Sequence, residues 1–238
     1  MTDHDPTASM PALLGPDIWL ADGPVVTAAL GFRYPTRMAL IRLPDASLLV
    51  WSPVALSAQV AAWIGQTGPV THIVAPNHLH HLFLAEWQDA YPSARIHAAP
   101  GLRAKRPDIR FAADLADGLP DAWGGAVACV LFQGNAITTE AVLFHRPSAT
   151  VIFTDLLQQV PAHLNTGWRA WIARADRMTG AAPQVPLKFR LATTDRTRAR
   201  RSLAEIGTWP AERLVIAHGP VALTDARGIV GSAFSWLG

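Results

Sequence analysis

The sequence predicts an α/β fold, a four-layer α/β-β/α sandwich carried by one domain. Two observations predict it. Short apolar runs bounded by Pro, Gly, Asn and Asp come in two groups, and each group is joined by stretches of helical spacing. The element order therefore reads as two similar halves, each a mixed sheet covered by helices. A third observation sets the focus. In Thr71 to Trp87, THIVAPNHLHHLFLAEW, an apolar strand opens directly into three histidines.

The first ten residues carry no periodic pattern. A flexible N-terminus is expected over 1–14, and a single domain over 15–238. Asp17 to Leu20 reads as a strand ended by the turn Asp22-Gly23-Pro24. Val25 to Arg33, Met38 to Leu43 and Ser47 to Trp51 come next as strands, separated by Tyr34-Pro35 and Pro44-Asp45. Strands this close together, with no helix between them, pair as an antiparallel meander. Leu56 to Gln66 turns helical, with Val60, Ala61 and Ile64 on one side.

The focal strand Ile73-Val74-Ala75 is closed by Pro76-Asn77. A helical pattern then places Leu79, Phe83, Leu84 and Trp87 on one face, running to Ala90. Arg95 to Ala98 is a strand, Pro100 to Arg106 a short basic segment, and Ala112 to Gly125 a connecting loop rich in Asp, Gly and Pro. The second half opens with strands at Ala126 to Phe132, Ala141 to Phe144 and Thr150 to Thr154. Arg146-Pro147-Ser148 joins the last two as a hairpin. Gly167 to Met178 is a helix, with a Gly/Pro-rich loop after it to Lys188. Asp195 to Ile206 is a basic amphipathic helix whose arginines form a solvated face. Arg213 to Ala217 is the last strand, and a helix from Ala226 to Leu237 closes the chain.

Composition bounds the function. Half of the 238 residues are apolar and 16% are charged, so a sizeable core is available and wholesale disorder is excluded. Nine tryptophans against two tyrosines require several indoles in the core or along a cleft. A formal charge of +2 does not make a nucleic-acid-binding surface. Cys129 stands alone inside an apolar run, which excludes an intrachain disulfide and reads as a core thiol in a reducing compartment. No window has the length of a membrane span, and MTDHDPTASM lacks the regions of a signal peptide. The expected location is the cytoplasm, with a small molecule as partner and neither nucleic acid nor membrane; composition leaves the oligomeric state open.

The chemistry gathers at strand ends. His78, His80 and His81 lie in a strand-to-helix turn, which fixes imidazoles while leaving them open to a metal. Asp155 follows the apolar strand ending at Thr154, His218-Gly219 follows Ile216-Ala217, and Gly134-Asn135 follows the strand from Ala126. Ligand groups of α/β sheets collect at such ends. Each has an ordinary structural reading beside the functional one: a helix N-cap for Asp155, a buried hydrogen-bonded imidazole for His218. His72, His97 and His145 read as sheet residues, His4 and His163 as loop residues. Glu140 and Lys188 are further candidates for the rim of the cleft.

The order of these motifs, a His-rich loop after the first sheet, a Gly-Asn loop, a strand-Asp and a strand-His-Gly, resembles the metallo-β-lactamase fold superfamily. The likeness is closest to a divergent, poorly characterised branch of metallo-hydrolase-like proteins, and runs from Ile18-Trp19 to Trp236. The superfamily's first motif, His-x-His-x-Asp-His, is not reproduced. With His78 and His80 in its first two positions, Leu82 and Phe83 fall on the Asp and last His. With Asn77 first, Leu79 comes second, His81 stands for the Asp and Leu82 for the last His. Asn135 matches the family's middle histidine, Asp155 its bridging aspartate and His218 its last metal histidine. The resemblance implies a metal-dependent hydrolase with one metal, zinc or alternatively iron or manganese. Asp155 and His218 would hold it, with His81 as third ligand and His80 or His78 in reserve, and Asp155 and His81 would serve catalysis. The substrate class is an ester, thioester, lactone or phosphoester. The competing expectation is a metal-free, non-catalytic descendant acting as a binding or scaffold protein.

Overall fold

A computed structural model describes residues 8–238. Expectations for residues 1–7, including His4, lie outside the described residues. The chain forms two compact units, the first built from residues up to Val25, Thr36–Ala128 and Arg146–Ser148. The second comprises Val26–Pro35, Cys129–His145 and Ala149–Gly238.

The seven-stranded sheet has the order of the chain itself. β1 (Ala12–Gly15), β2 (Ile18–Thr27), β3 (Arg33–Arg42) and β4 (Leu48–Trp51) lead the order, whereas Val25–Arg33, expected as a strand, ends β2, turns through Ala29–Gly31 and opens β3. β1 lies within the stretch expected to be flexible and pairs antiparallel with β2. From β4 onward the pairing is parallel. α1 (Ala58–Thr67) leads to β5 (Val70–Ala75), α2 (Leu84–Ala90) to β6 (Arg95–Ala98), and α3 (Leu102–Lys105) to β7 (Phe111–Asp114). Ser57 starts α1 by accepting a hydrogen bond from Val60 N at 3.2 Å. Val60 and Ile64 then join Leu40, Val50, Ile73, Leu84 and Trp87 in one buried cluster. Trp87 is fully buried and donates its indole N–H to Val54 O at 2.7 Å, so its polar atom is satisfied where its ring is packed.

Three expectations fail here for identifiable reasons. Asp22-Gly23-Pro24 is not a turn but the middle of β2. An added Cβ at Gly23 would meet Thr36 Oγ1 and the Val54 side chain at 2.5 Å each, so glycine serves close approach rather than reversal. Tyr34-Pro35 likewise lies inside β3. The helix expected from Leu79 begins only at Leu84, because Asn77 Oδ1 accepts the amides of Leu79 (2.8 Å) and His80 (3.0 Å) and closes a local turn first.

The second sheet has four strands in the order β11, β10, β9, β8. β8 (Val127–Phe132), β9 (Glu140–His145) and β10 (Thr150–Gln158) precede the helices α4 (Trp168–Ala175), α5 (Leu187–Ala192) and α6 (Arg196–Gly207). β11 (Arg213–His218) and α7 (Ala226–Ala233) complete the order. The predicted hairpin joins β9 to β10, with Thr150 opposite His145. β10 runs past Asp155 to Gln158 and is buried along its whole length. α6 begins at Asp195, whose side chain accepts from Arg198 N at 3.0 Å, and Arg196, Arg198, Arg200 and Arg201 are exposed, as the solvated face requires. α5 occupies part of the stretch read as loop. Trp51, Trp87 and Trp123 are core residues, whereas Trp168 and Trp171 are 50% and 74% exposed. Among the described residues, no helix is long and apolar enough to cross a membrane.

Candidate metal centre

β10 and β11 run parallel, with Phe153 opposite Ile216. Two residues further along each strand stand Asp155 and His218, both buried, on the same face by the period-two rule. The register shifts at this point, and the side chains converge until His218 Nε2 lies 3.3 Å from Asp155 Oδ1. The other ring nitrogen of His218, Nδ1, is 2.7 Å from Pro35 O. A carbonyl can only accept, so Nδ1 carries the proton and Nε2 is the atom aimed at Asp155. Gly219 keeps the strand end tight, since an added Cβ would stand 2.7 Å from Ile216 Cδ1 and 3.0 Å from Gln159 O.

Asp155 is held from two sides. Gln158 Nε2 reaches its Oδ1 at 3.4 Å. Glu140, expected at the rim, is instead fully buried, and its carboxylate accepts the backbone amides of Thr154 (2.7 Å), Asp155 (2.8 Å) and Leu156 (3.0 Å). Burial, and then the charge of Asp155, push the Glu140 carboxyl above the ordinary range, while the hydrogen bonds from Thr154 and Leu156 pull it back. Tyr34 lays its ring 5.2 Å from that of His218. Burial raises the Tyr34 phenol, so it stays protonated at neutral pH. Lys188 Nζ is 3.4 Å from Tyr34 OH and 3.2 Å from Asp176 Oδ2. Burial alone would depress the Lys188 ammonium, but Tyr34 and Asp176 outweigh it and the net shift is upward.

The histidine turn is ordered separately. His80 Nδ1 lies 2.8 Å from Ser52 Oγ, which orients the ring. His81 takes another path: its Nδ1 is 3.1 Å from an Arg106 guanidinium nitrogen, and its carbonyl accepts from the same nitrogen at 2.6 Å. Burial, then Lys105 and Arg106, push the His81 imidazole down to about 4. The carbonyl of His78 accepts from Lys105 Nζ at 3.0 Å.

Within the second unit, Asp155 and His218 are brought together and offer two ligand atoms 3.3 Å apart. His78, His80 and His81 lie in the first unit, where the turn at Asn77, Ser52 and the basic pair Lys105 and Arg106 hold them. Asn135 is not a candidate ligand. Its amide donates to Phe189 O (2.7 Å) and Thr193 Oγ1 (3.0 Å), and its Oδ1 accepts from Ile137 N (2.9 Å) and Thr138 N (3.2 Å). Ser52 and Gln158 carry no sequence signal of their own, and Glu140, expected at the rim just before a strand, is the first residue of β9.

A family model described as a domain of unknown function (DUF4336) matches residues 17–103. The curated proteins contain no match. Solved structures do match over nearly the whole chain. A DIM-1 metallo-β-lactamase exposed to ceftazidime superposes with a TM-score of 0.67 at 10% identity, covering 99% of this chain and 98% of its own. A metallo-β-lactamase from Pontibacter korlensis gives 0.63 at 14% identity, covering 95% and 97%. FIM-1 from Pseudomonas aeruginosa, in its mono-zinc form, gives 0.61 at 10% identity, covering 95% and 96%. The fold is the metallo-β-lactamase fold. At these identities the likeness is one of fold, and function has to be argued from the residues of the site.

Proposed function

We propose that this chain is a metal-dependent hydrolase with a single metal held by Asp155 and His218, with a histidine of the turn (His81, or else His80 or His78) as third ligand. The observation that carries the reading is the 3.3 Å between His218 Nε2 and Asp155 Oδ1. Two ligand atoms bound tetrahedrally to zinc at about 2.0–2.1 Å stand about 3.4 Å apart, so this pair already has the spacing of a shared ion. The donor set fits as well. Two imidazoles and one carboxylate are a catalytic zinc triad with a fourth position left for water or substrate.

The chain's own residues do the positioning. Pro35 O fixes the tautomer of His218, Ser52 orients His80, and Gln158 and Glu140 hold Asp155. Tyr34 covers the ring of His218 and keeps a phenolic proton beside it. Zinc in such a set polarises an acyl or phosphoryl oxygen and lowers the pKa of its water toward neutrality. The expected reaction is hydrolysis of an ester, thioester, lactone or phosphoester. That one neighbour of this fold is described in a mono-zinc form supports a single-metal reading.

Elemental analysis of the purified protein, paired with a panel of ester and phosphoester substrates, tests the proposal. One equivalent of metal and chelator-sensitive turnover are expected. A protein that binds no zinc when it is offered, and whose stability is the same with and without chelator, would move the assignment to a metal-free binding protein.

A further inference from the structure

The pairing of β9 with β10 runs Thr150 to His145, Val151 to Phe144 and Ile152 to Leu143. Continued in the same register, it would set Glu140 opposite Asp155 as an ordinary pair of strand residues. Instead the register ends at Ile152 and Leu143, and the amides of Thr154, Asp155 and Leu156 turn together onto the Glu140 carboxylate at 2.7–3.0 Å. Three consecutive amides cupping one anion form a nest, and a nest forces the backbone off the straight strand. Asp155 is the middle residue of that bend. Glu140 is fully buried, and an ionised carboxylate survives such burial only when hydrogen-bonded. An apolar residue at 140 with the ladder continued would have been the simpler strand. The bend is therefore a specified feature, and it sets the direction in which the Asp155 side chain leaves the sheet.

We infer that Glu140 is a positioning residue that pre-sets Asp155 as a ligand; this rests on the reading of Asp155 and His218 as metal ligands. Glu140 acts through the main chain of residues 154–156 and through its charge beside Asp155, while Gln158 bonds the Asp155 side chain.

The test compares zinc affinity, measured by competition with a chromophoric chelator, in wild type, Glu140→Gln and Val142→Ala. A glutamine has one acceptor oxygen, so its NH2 would face at least one of the three amides. Val142 is buried in the same strand, and its truncation supplies a purely structural comparison. Glu140→Gln should weaken zinc binding about 10- to 100-fold, the usual range for groups that orient metal ligands, with Val142→Ala within about threefold of wild type. Equal affinity in Glu140→Gln and wild type, or an equal loss in Val142→Ala at matched melting temperature, overturns the inference. If Glu140→Gln does not fold, hydrogen exchange of wild type decides. The amides of Thr154, Asp155 and Leu156 should be as protected in the chelator-treated protein as with zinc. Protection gained only on adding zinc would show that the metal, not Glu140, orders the bend. Absence of zinc binding in wild type would instead count against the metal centre itself.

Discussion

Ser52 holds His80 from a conformation that serine rarely adopts. Its Oγ lies 2.8 Å from His80 Nδ1, and its backbone sits at φ 51° immediately after β4. A left-handed residue other than glycine costs on the order of 1 kcal/mol, and strain of this kind clusters at functional sites. Two substitutions separate strain from contact. Ser52→Gly should raise stability by up to about 1 kcal/mol, yet weaken zinc binding about tenfold. Ser52→Ala should weaken zinc binding to a similar degree without the gain in stability. Urea unfolding and chelator competition read the two effects, and unchanged zinc affinity in both variants would remove Ser52 from the site.

The proposed ligand set makes a ranking. Asp155 is its only anionic member, and the carbonyl of His78 accepts from Lys105. Asp155→Asn should therefore cost far more zinc affinity than His78→Ala, which should stay within about threefold of wild type. Dialysed wild type should retain one equivalent of metal. Two equivalents surviving dialysis would contradict the single site.

Acid should destabilise the protein through a second histidine pair. His72 Nδ1 and His97 Nε2 lie 2.9 Å apart, both rings buried against Trp123, with the charges of Arg95 and Asp45 acting on His72 in opposite senses. Burial, then His72 and Arg95, push His97 down to about 4, and burial lowers His72 as well. A histidine whose folded pKa lies below its unfolded value of 6.5 stabilises the protein above that value. The unfolded chain takes up the proton first, so stability is lost as pH falls from about 6.5 towards about 4. His81 contributes in the same sense. Urea midpoints measured between pH 7.5 and 4.5 should fall for wild type, and fall less steeply for His97→Gln. Parallel slopes for the two proteins would exclude the pair as the cause.

The loop before β9 should tolerate no side chain at Gly134. This residue has φ +88°, and an added Cβ would run into the Asp195 carbonyl and stand 3.1 Å from Ala199 N at the start of α6. Gly134→Ala combines a left-handed strain with a backbone clash and should cost about 3 kcal/mol in urea unfolding. A loss below about 0.5 kcal/mol would mean that α6 shifts freely.

The sequence carried the fold well, and the site in part. Asp155 and His218 could be read because each follows an apolar run, and a buried strand carries such a residue inward with it. The element order was legible for the same reason, since periodicity survives in one dimension. How each histidine of the turn is held was not legible. Residues 78, 80 and 81 share one turn, and their directions depend on Asn77 closing that turn and on Arg106 taking His81. Those partners lie outside the spacing rule that a metal motif obeys. Gly23-Pro24 misled in the opposite way. Its turn signal was overruled by Thr36 Oγ1, which donates to Pro24 O at 2.8 Å and keeps β2 extended.

Asp155 and His218 stand on neighbouring strands, but the chain between them makes one long crossover carrying α4, α5 and α6. Their spacing is fixed by the strand register and by Pro35, Glu140 and Gln158, not by the length of that crossover. A change in the length of that excursion therefore leaves untouched the register that sets Asp155 beside His218.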